Sequence, residues 1–271
     1  MIDNFEFKNR YTCSDLVNIV TILRAPGGCP WDREQTHESI RKNFIEETYE
    51  AIEGIDKADP DILREELGDV LLQIMLHTEM EREKGVFDFD DVCNDICQKL
   101  IIRHPHVFGE VNVSSTDEVL SNWDAIKKAT KKQKTSSESI LSIPRERPAL
   151  MRAQKTQSKA AKAGFDWSEI SGAIDKIYEE TEEVKEALKE NDPAKIADEL
   201  GDLLFAAVNV CRFADTDAEE ALTFATDKFI NRFALVEKLA TENGKNMKDY
   251  TLSELDVFWE QAKRMLNPLA D

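Results

Sequence analysis

Eight carboxylates at helical spacing are the residues best placed to do chemistry in this 271-residue chain. Glu47 and Glu50 are three positions apart, as are Glu66 and Asp69, Glu180 and Glu183, and Glu199 and Asp202. An i, i+3 pair shares one helix face, about one turn apart. Glu50 and Glu66 stand nearly equidistant from a turn centred between Ala58 and Asp59, and Glu47 and Asp69 do so farther out. In an antiparallel helix hairpin Glu50 is then level with Glu66 and Glu47 with Asp69, so four carboxylates converge on one patch. Such a patch repels itself and raises the pKa of its members unless a cation compensates. Hard oxygen ligands without Cys or His select Mg²⁺ or Mn²⁺ over zinc or copper. The competing reading is a solvated acidic face. Against it, Glu66, Asp69 and Gln73 run beside the apolar stripe of their helix instead of opposite it, and the whole set recurs. A di-iron carboxylate bundle would need Glu-x-x-His pairs; only Glu34 to His37 has that spacing, and the second half of the chain has no histidine.

The recurrence is an internal repeat. Written over one another at an offset of 133, residues 46–72 and 179–205 agree at Glu46, Glu47, Thr48, Glu50, Glu53, Asp59, Pro60, Glu66, Leu67, Gly68, Asp69 and Leu71. Two weaker echoes follow. Lys99 and Arg103 answer Lys228 and Arg232, i, i+4 pairs that could present two cations to one phosphate chain or simply pair with surface Glu. Trp123 and Lys127 answer Trp259 and Lys263, an aromatic plane one turn from an ammonium. That pairing suits either base stacking or a bundle core.

The elements that must position these groups are helices. Leu67, Val70, Leu71, Ile74, Met75 and Leu200, Leu203, Leu204, Ala207, Val208 recur at i, i+3, i+4, i+7, i+8. Asp59-Pro60 and Asp192-Pro193 read as an N-cap followed by Pro at the first helical position. Strand and hairpin signals are scarce, so the expected fold is all-α. The polar, Pro-punctuated stretch around Lys131, Lys132, Lys134, Pro144 and Pro148 marks a boundary. The expected domains are 1–130 and 150–271, with a linker over 131–149. Gly27 to Asp32 reads as a rigid loop, and Cys93/Cys97 at i, i+4 as two small packed residues rather than a soft-metal site.

Composition narrows the partners. The formal charge is -19, with 35 Lys plus Arg against 54 Asp plus Glu, so direct binding of nucleic acid or anionic membrane is not expected. A phosphorylated ligand must be held by local cations or bound metal. The longest apolar runs fall short of the ~20 residues that span a bilayer. The acidic N-terminus does not read as a secretory signal, and five cysteines without a Cys-x-x-Cys pair fit a reducing cytoplasm.

The ordered set Gly28-Cys29-Pro30-Trp31-Asp32, Glu46-Glu47-x-x-Glu50, Glu66-Leu67-Gly68-Asp69, Arg103-His104-Pro105-His106-Val107-Phe108, Gly164-Phe165-Asp166-Trp167 and Glu199-Leu200-Gly201-Asp202 resembles the tandem-domain MazG family over nearly the whole chain. The resemblance implies two all-α nucleoside triphosphate pyrophosphatase domains whose four-helix bundles are completed by homodimerisation. It implies Mg²⁺-dependent conversion of NTPs or dNTPs to monophosphate and pyrophosphate. By the same resemblance the metal ligands are Glu47, Glu50, Glu66, Asp69 and Glu180, Glu183, Glu199, Asp202. Substrate groups are Lys228, Arg232, Trp259 and Lys263, with first-half counterparts Lys99, Arg103, Trp123 and Lys127. Glu180 and Glu183, with Lys228 and Arg232, are expected to form the catalytic set, Glu47 or Glu180 orienting the attacking water. A narrow-substrate relative acting on dUTP or phosphoribosyl-ATP, and a non-catalytic Mg²⁺-nucleotide sensor or partner-binding protein, are the alternatives.

Overall fold

The computed structural model describes residues 5–116, 118, 119, 122, 123, 125, 126 and 135–266. Lys127, Lys131, Lys132 and Lys134 lie outside the described residues. Among the described residues the ordered elements are twelve α-helices and one 3-10 turn, with no strand. The chain divides into two compact units, 1–130 and 131–271.

The first unit contains α1 (Cys13–Arg24), α2 (Pro30–Glu34), α3 (Arg41–Asp56), α4 (Pro60–Glu83), α5 (Phe89–Arg103) and α6 (Pro105–Phe108). The stretch read as a loop before the first acidic helix is therefore partly helical, because Pro30 starts α2 at a position where its missing N–H is no loss. Helices α3 and α4 form the hairpin. Its turn places Ala58 in the left-handed region (φ 51°). The Asp59 carboxylate then accepts from the backbone N–H groups of Asp61 and Ile62 at 2.9 and 3.2 Å. Gly54 is buried where the two helices meet, and a Cβ there would lie 2.8 Å from the Leu63 nitrogen. The core consists of Val20, Ile40, Met75, Leu76 and Met80, contributed by α1, the start of α3 and α4. Each such side chain stabilises the unit by ~1.5–3 kcal/mol when fully buried. Arg24 closes the end of α1, donating to Glu83 and to the carbonyls of Asp32 and Gln35.

The second unit contains α7 (Ser136–Leu141), α8 (Ala149–Lys162), α9 (Ile170–Glu190), α10 (Pro193–Phe213), α11 (Ala218–Glu242) and α12 (Leu252–Leu266). Its hairpin, α9 with α10, repeats the first. Asn191 is left-handed (φ 54°), and Asp192 caps α10 through the N–H groups of Ala194 and Lys195. Part of the stretch expected to be linker is structured: Thr135 and Glu138 form a reciprocal cap for α7, and Ile143 is buried. The buried apolar residues here are mostly small, with Ala173, Ala187, Ala206, Ala218, Ala240 and Ala262 beside Val208 and Val236.

In neither hairpin is the apolar stripe fully covered. Leu67, Leu200 and Leu204 are 53, 44 and 59% exposed, so among the described residues of each unit the outer part of the stripe is left uncovered.

Candidate active site

Both hairpins bring the expected acids together. Ligand oxygens of Glu47, Glu66 and Asp69 lie within 4.8 Å of one another, and so do those of Glu180, Glu199 and Asp202. Glu50 and Glu183, the fourth member of each set, stand at the edge of their clusters. Glu50 is a hydrogen-bond and charge neighbour of Glu66, and Glu183 of Glu180 and Glu199. The level pairing of Glu50 with Glu66 and of Glu47 with Asp69 is thus the observed register.

The electrostatics follow from crowding. Burial, followed by the Asp69 and Glu50 charges, raises the Glu47 carboxyl above the ordinary carboxylate range. Burial and then the Glu50 carboxylate raise Glu66. In the second unit the hydrogen bond to Glu180 raises Glu183 most, with burial and the Glu180 and Glu199 charges adding to it. One cation intervenes there: Lys176 Nζ lies 2.6 Å from Glu180 and 2.9 Å from Glu179. Glu180, the hydrogen bond first, holds the Lys176 ammonium above its usual range. The aligned first-unit residue is Asn43, which brings no charge. Glu180 is 3% exposed, and its Oε2 has no partner. A buried, unpaired carboxylate oxygen beside two more carboxylates is a donor set that fits a hard divalent cation.

The two clusters differ in what adjoins them. A cleft of about 790 Å³ opens beside Glu180 and Asp202, walled by α8, α9, α10 and the loop from Gly164 to Trp167. Its walls include Ala173, Ala206 and Asn209. The aligned first-unit residues are Ile40, Gln73 and Leu76, which are 1, 5 and 3% exposed and fill the corresponding space. The loop at the mouth is tied down by Arg212, whose guanidinium donates to both Asp166 oxygens at 3.0 and 2.6 Å. Gly172 lets the Trp167 indole lie against the start of α9, where a Cβ would fall 2.4 Å from the ring.

The cations and aromatics pair across the sequence motifs in an unforeseen way. Arg103 lies over Trp123 and Arg232 over Trp259, each 5.7 Å from the ring centroid. In both arginines the Nε is buried without a partner. Lys263 pairs with Glu260 at 2.9 Å, while Lys99 and Lys228 are exposed. Among the described residues no hydrogen bond or ion pair joins Lys228, Arg232, Trp259 or Lys263 to the acids within one chain. His104 stacks edge-on against Trp123 at 4.9 Å. His37 does not turn to Glu34; its nitrogens contact His77 at 2.7 Å and Glu81 at 2.6 Å.

Residues 35–108 and 170–236, which hold both acidic hairpins, each match the MazG nucleotide pyrophosphohydrolase domain. The chain belongs to the MazG family. A nucleoside triphosphate pyrophosphohydrolase of Escherichia coli is 44% identical over 252 residues, 92% of this chain and 96% of that one. The nucleoside triphosphate pyrophosphohydrolase/pyrophosphatase MazG of Thermotoga maritima is 45% identical over 249 residues, 92% and 94% of the two chains. The uncharacterized protein YabN of Bacillus subtilis is 47% identical over 251 residues, covering 91% of this chain and 50% of that longer protein. The MazG motifs quoted from the sequence identified the acids. They did not single out Lys176, Gln157, Asn209 or Arg212, for which the available signal was a change of charge or polarity from Asn43, Arg24, Leu76 and Glu79 at the aligned positions.

Proposed function

We propose that this chain hydrolyses nucleoside and deoxynucleoside triphosphates to monophosphate and pyrophosphate, with Mg²⁺, at the acidic cluster of its second unit. The reading rests on one observation: Glu180 and Asp202 belong at once to a metal-competent carboxylate cluster and to the wall of a cleft large enough for a nucleotide. The names of the Escherichia coli and Thermotoga maritima relatives support the reaction class.

In this scheme Glu180, Glu183, Glu199 and Asp202 hold the cation. A bound divalent ion supplies charge neutralisation on the phosphates and a lowered pKa for a coordinated water. Glu183 and the buried, unpartnered Glu180 oxygen would orient the attacking water, Glu180 as base. Lys176, 2.6 Å from Glu180, would offset the carboxylate charge of the metal-free site and add a cation beside a bound phosphate. Lys228 and Arg232 hold the departing pyrophosphate, with Trp259 and Lys263 beside them. Because among the described residues no hydrogen bond or ion pair joins these four to the acids, the scheme includes a homodimer. The exposed Leu200, Leu204, Phe229, Ile230 and Phe233 support it, since an uncovered apolar stripe on a helix pair calls for a partner face. In the first unit Glu47, Glu50, Glu66 and Asp69, with Lys99, Arg103, Trp123 and Lys127 as counterparts, form a second metal site, beside which the described residues Ile40, Gln73 and Leu76 are buried. No described helix is long and apolar enough to cross a membrane, and five unpaired cysteines support a reducing cytoplasmic setting.

Product analysis by anion exchange, after incubation with Mg²⁺ and a mixture of NTPs and dNTPs, tests the reaction. Monophosphate with equimolar pyrophosphate is expected. Diphosphate with inorganic phosphate, or tight binding without turnover, would replace the pyrophosphohydrolase with another phosphatase or a sensor.

A further inference from the structure

The walls of the second-unit cleft carry polar groups that the hydrolytic chemistry does not use. Gln157, on α8, is 7% exposed. Its Nε2 donates to the Phe205 carbonyl at 2.7 Å. That partner is an acceptor, so the amide orientation is fixed and the other end is Oε1. Oε1 is buried and accepts from no described residue. Across the cleft Asn209, on α10, is 6% exposed. Its Oδ1 accepts from Arg212 Nε at 2.8 Å, which likewise fixes the amide and leaves Nδ2 as a donor. Arg212 is anchored in turn on Asp166. Both residues line the cleft, so its wall holds one unpartnered amide acceptor, buried just behind the surface, and one amide donor. Trp167 and Phe165, 46 and 85% exposed, stand at its lip.

An unpaired buried acceptor disfavours the folded state unless a ligand completes it. The ligand that fits carries an N–H donor next to a ring acceptor on a flat, apolar body, which describes the edge of a nucleobase. We propose that Gln157 Oε1 and Asn209 Nδ2 read the base edge of the bound triphosphate, with Trp167 offering its face to the ring, so that the site requires a base with an N–H donor beside an acceptor. The inference rests on the pyrophosphohydrolase reading and deepens it. Adenine, cytosine, guanine and uracil all carry an N–H donor beside an acceptor; a base stripped of its N–H does not. The first unit lacks the pair, since Leu76 stands where Asn209 does.

The test compares ATP with purine riboside triphosphate, the same ring without the exocyclic amino group, in the full-length protein with Mg²⁺. One hydrogen bond to a buried acceptor is expected to give wild-type protein a kcat/KM for ATP roughly 5- to 10-fold higher. Gln157→Met keeps the side-chain volume and should bring that ratio to about one, the loss falling on ATP. Asn209→Leu should raise KM for both substrates severalfold without moving the ratio. Because each ratio is taken within one protein preparation, a partly folded variant does not distort it. Equal turnover of the two substrates by wild-type protein, or a ratio unchanged by Gln157→Met, would overturn base reading while leaving hydrolysis intact. Failure of both substrates to yield monophosphate and pyrophosphate would remove the underlying reading and this inference with it.

Discussion

The two halves carry the same carboxylates on the same hairpin, yet among the described residues they differ in what packs beside those carboxylates. In the first unit Ile40 and Leu76 pack with Val20 of α1 in the core, and Gln73 is buried on the same helix as Leu76. In the second, Ala173, Ala206 and Asn209 leave about 790 Å³ open. A duplicated ligand set therefore does not bring duplicated surroundings with it. The first unit gains a core of large side chains, and the second trades that packing for a cavity with an alanine-rich wall.

The sharpest way to break this contrast is to disable one acidic set at a time. Glu183→Gln is expected to lower kcat/KM by on the order of 10²- to 10⁴-fold, and Glu50→Gln to leave it within about twofold, as read by pyrophosphate release. Packing should show the opposite asymmetry: Ile40→Ala, which empties a fully buried site, is expected to cost about 2–5 kcal/mol in denaturant unfolding while kcat holds.

Much of this was legible in the sequence. The i, i+3 spacing of the acids, their symmetry about Asp59 and Asp192, and the N-cap-Pro signal specified the hairpin register, because each is local to one helix or one turn. The cleft was not legible from either half alone, since alanines on an amphipathic helix read equally well as close packing. Nor did spacing join Arg103 to Trp123 or Arg232 to Trp259, residues on separate helices whose meeting depends on tertiary packing. The apolar stripes were read from periodicity, but periodicity does not say how much of a stripe its own chain covers, as the exposed Leu200 and Leu204 show.

Three smaller effects sharpen the comparison. With the Glu47, Glu66 and Glu183 carboxyls raised above their unfolded values, the native state binds more protons than the unfolded chain. Metal-free stability should therefore fall as pH rises from the unfolded carboxylate pKa through the raised ones, and recover on acidification. Mg²⁺ relieves the same repulsion, so its stabilisation of the fold should be largest at neutral pH, about 2.7 kcal/mol at a hundredfold excess over Kd, and shrink toward pH 5. Thermal melts across pH with and without the ion check both signs. Closing the second cleft on the pattern of the first, with Ala173→Ile and Asn209→Leu together, should raise KM by about tenfold or more, a loss of some 1.4 kcal/mol, while Tm stays level or rises. Finally, Ala58 occupies the left-handed position that Asn191 holds in the second hairpin. Ala58→Asn should stabilise the first unit by about 0.5–1 kcal/mol in the same melts, with no change in turnover.

Nucleotide stoichiometry is the most direct test of the contrast between the halves. Calorimetric titration of the full chain with a Mg²⁺ complex of a non-hydrolysable α,β-methylene nucleotide should give one site per chain. That site should weaken or vanish in the Ala173→Ile, Asn209→Leu variant and persist in Glu50→Gln. Two equivalent sites per chain, or a single site lost in Glu50→Gln and retained in the filled variant, would contradict the assignment of nucleotide binding to the second unit.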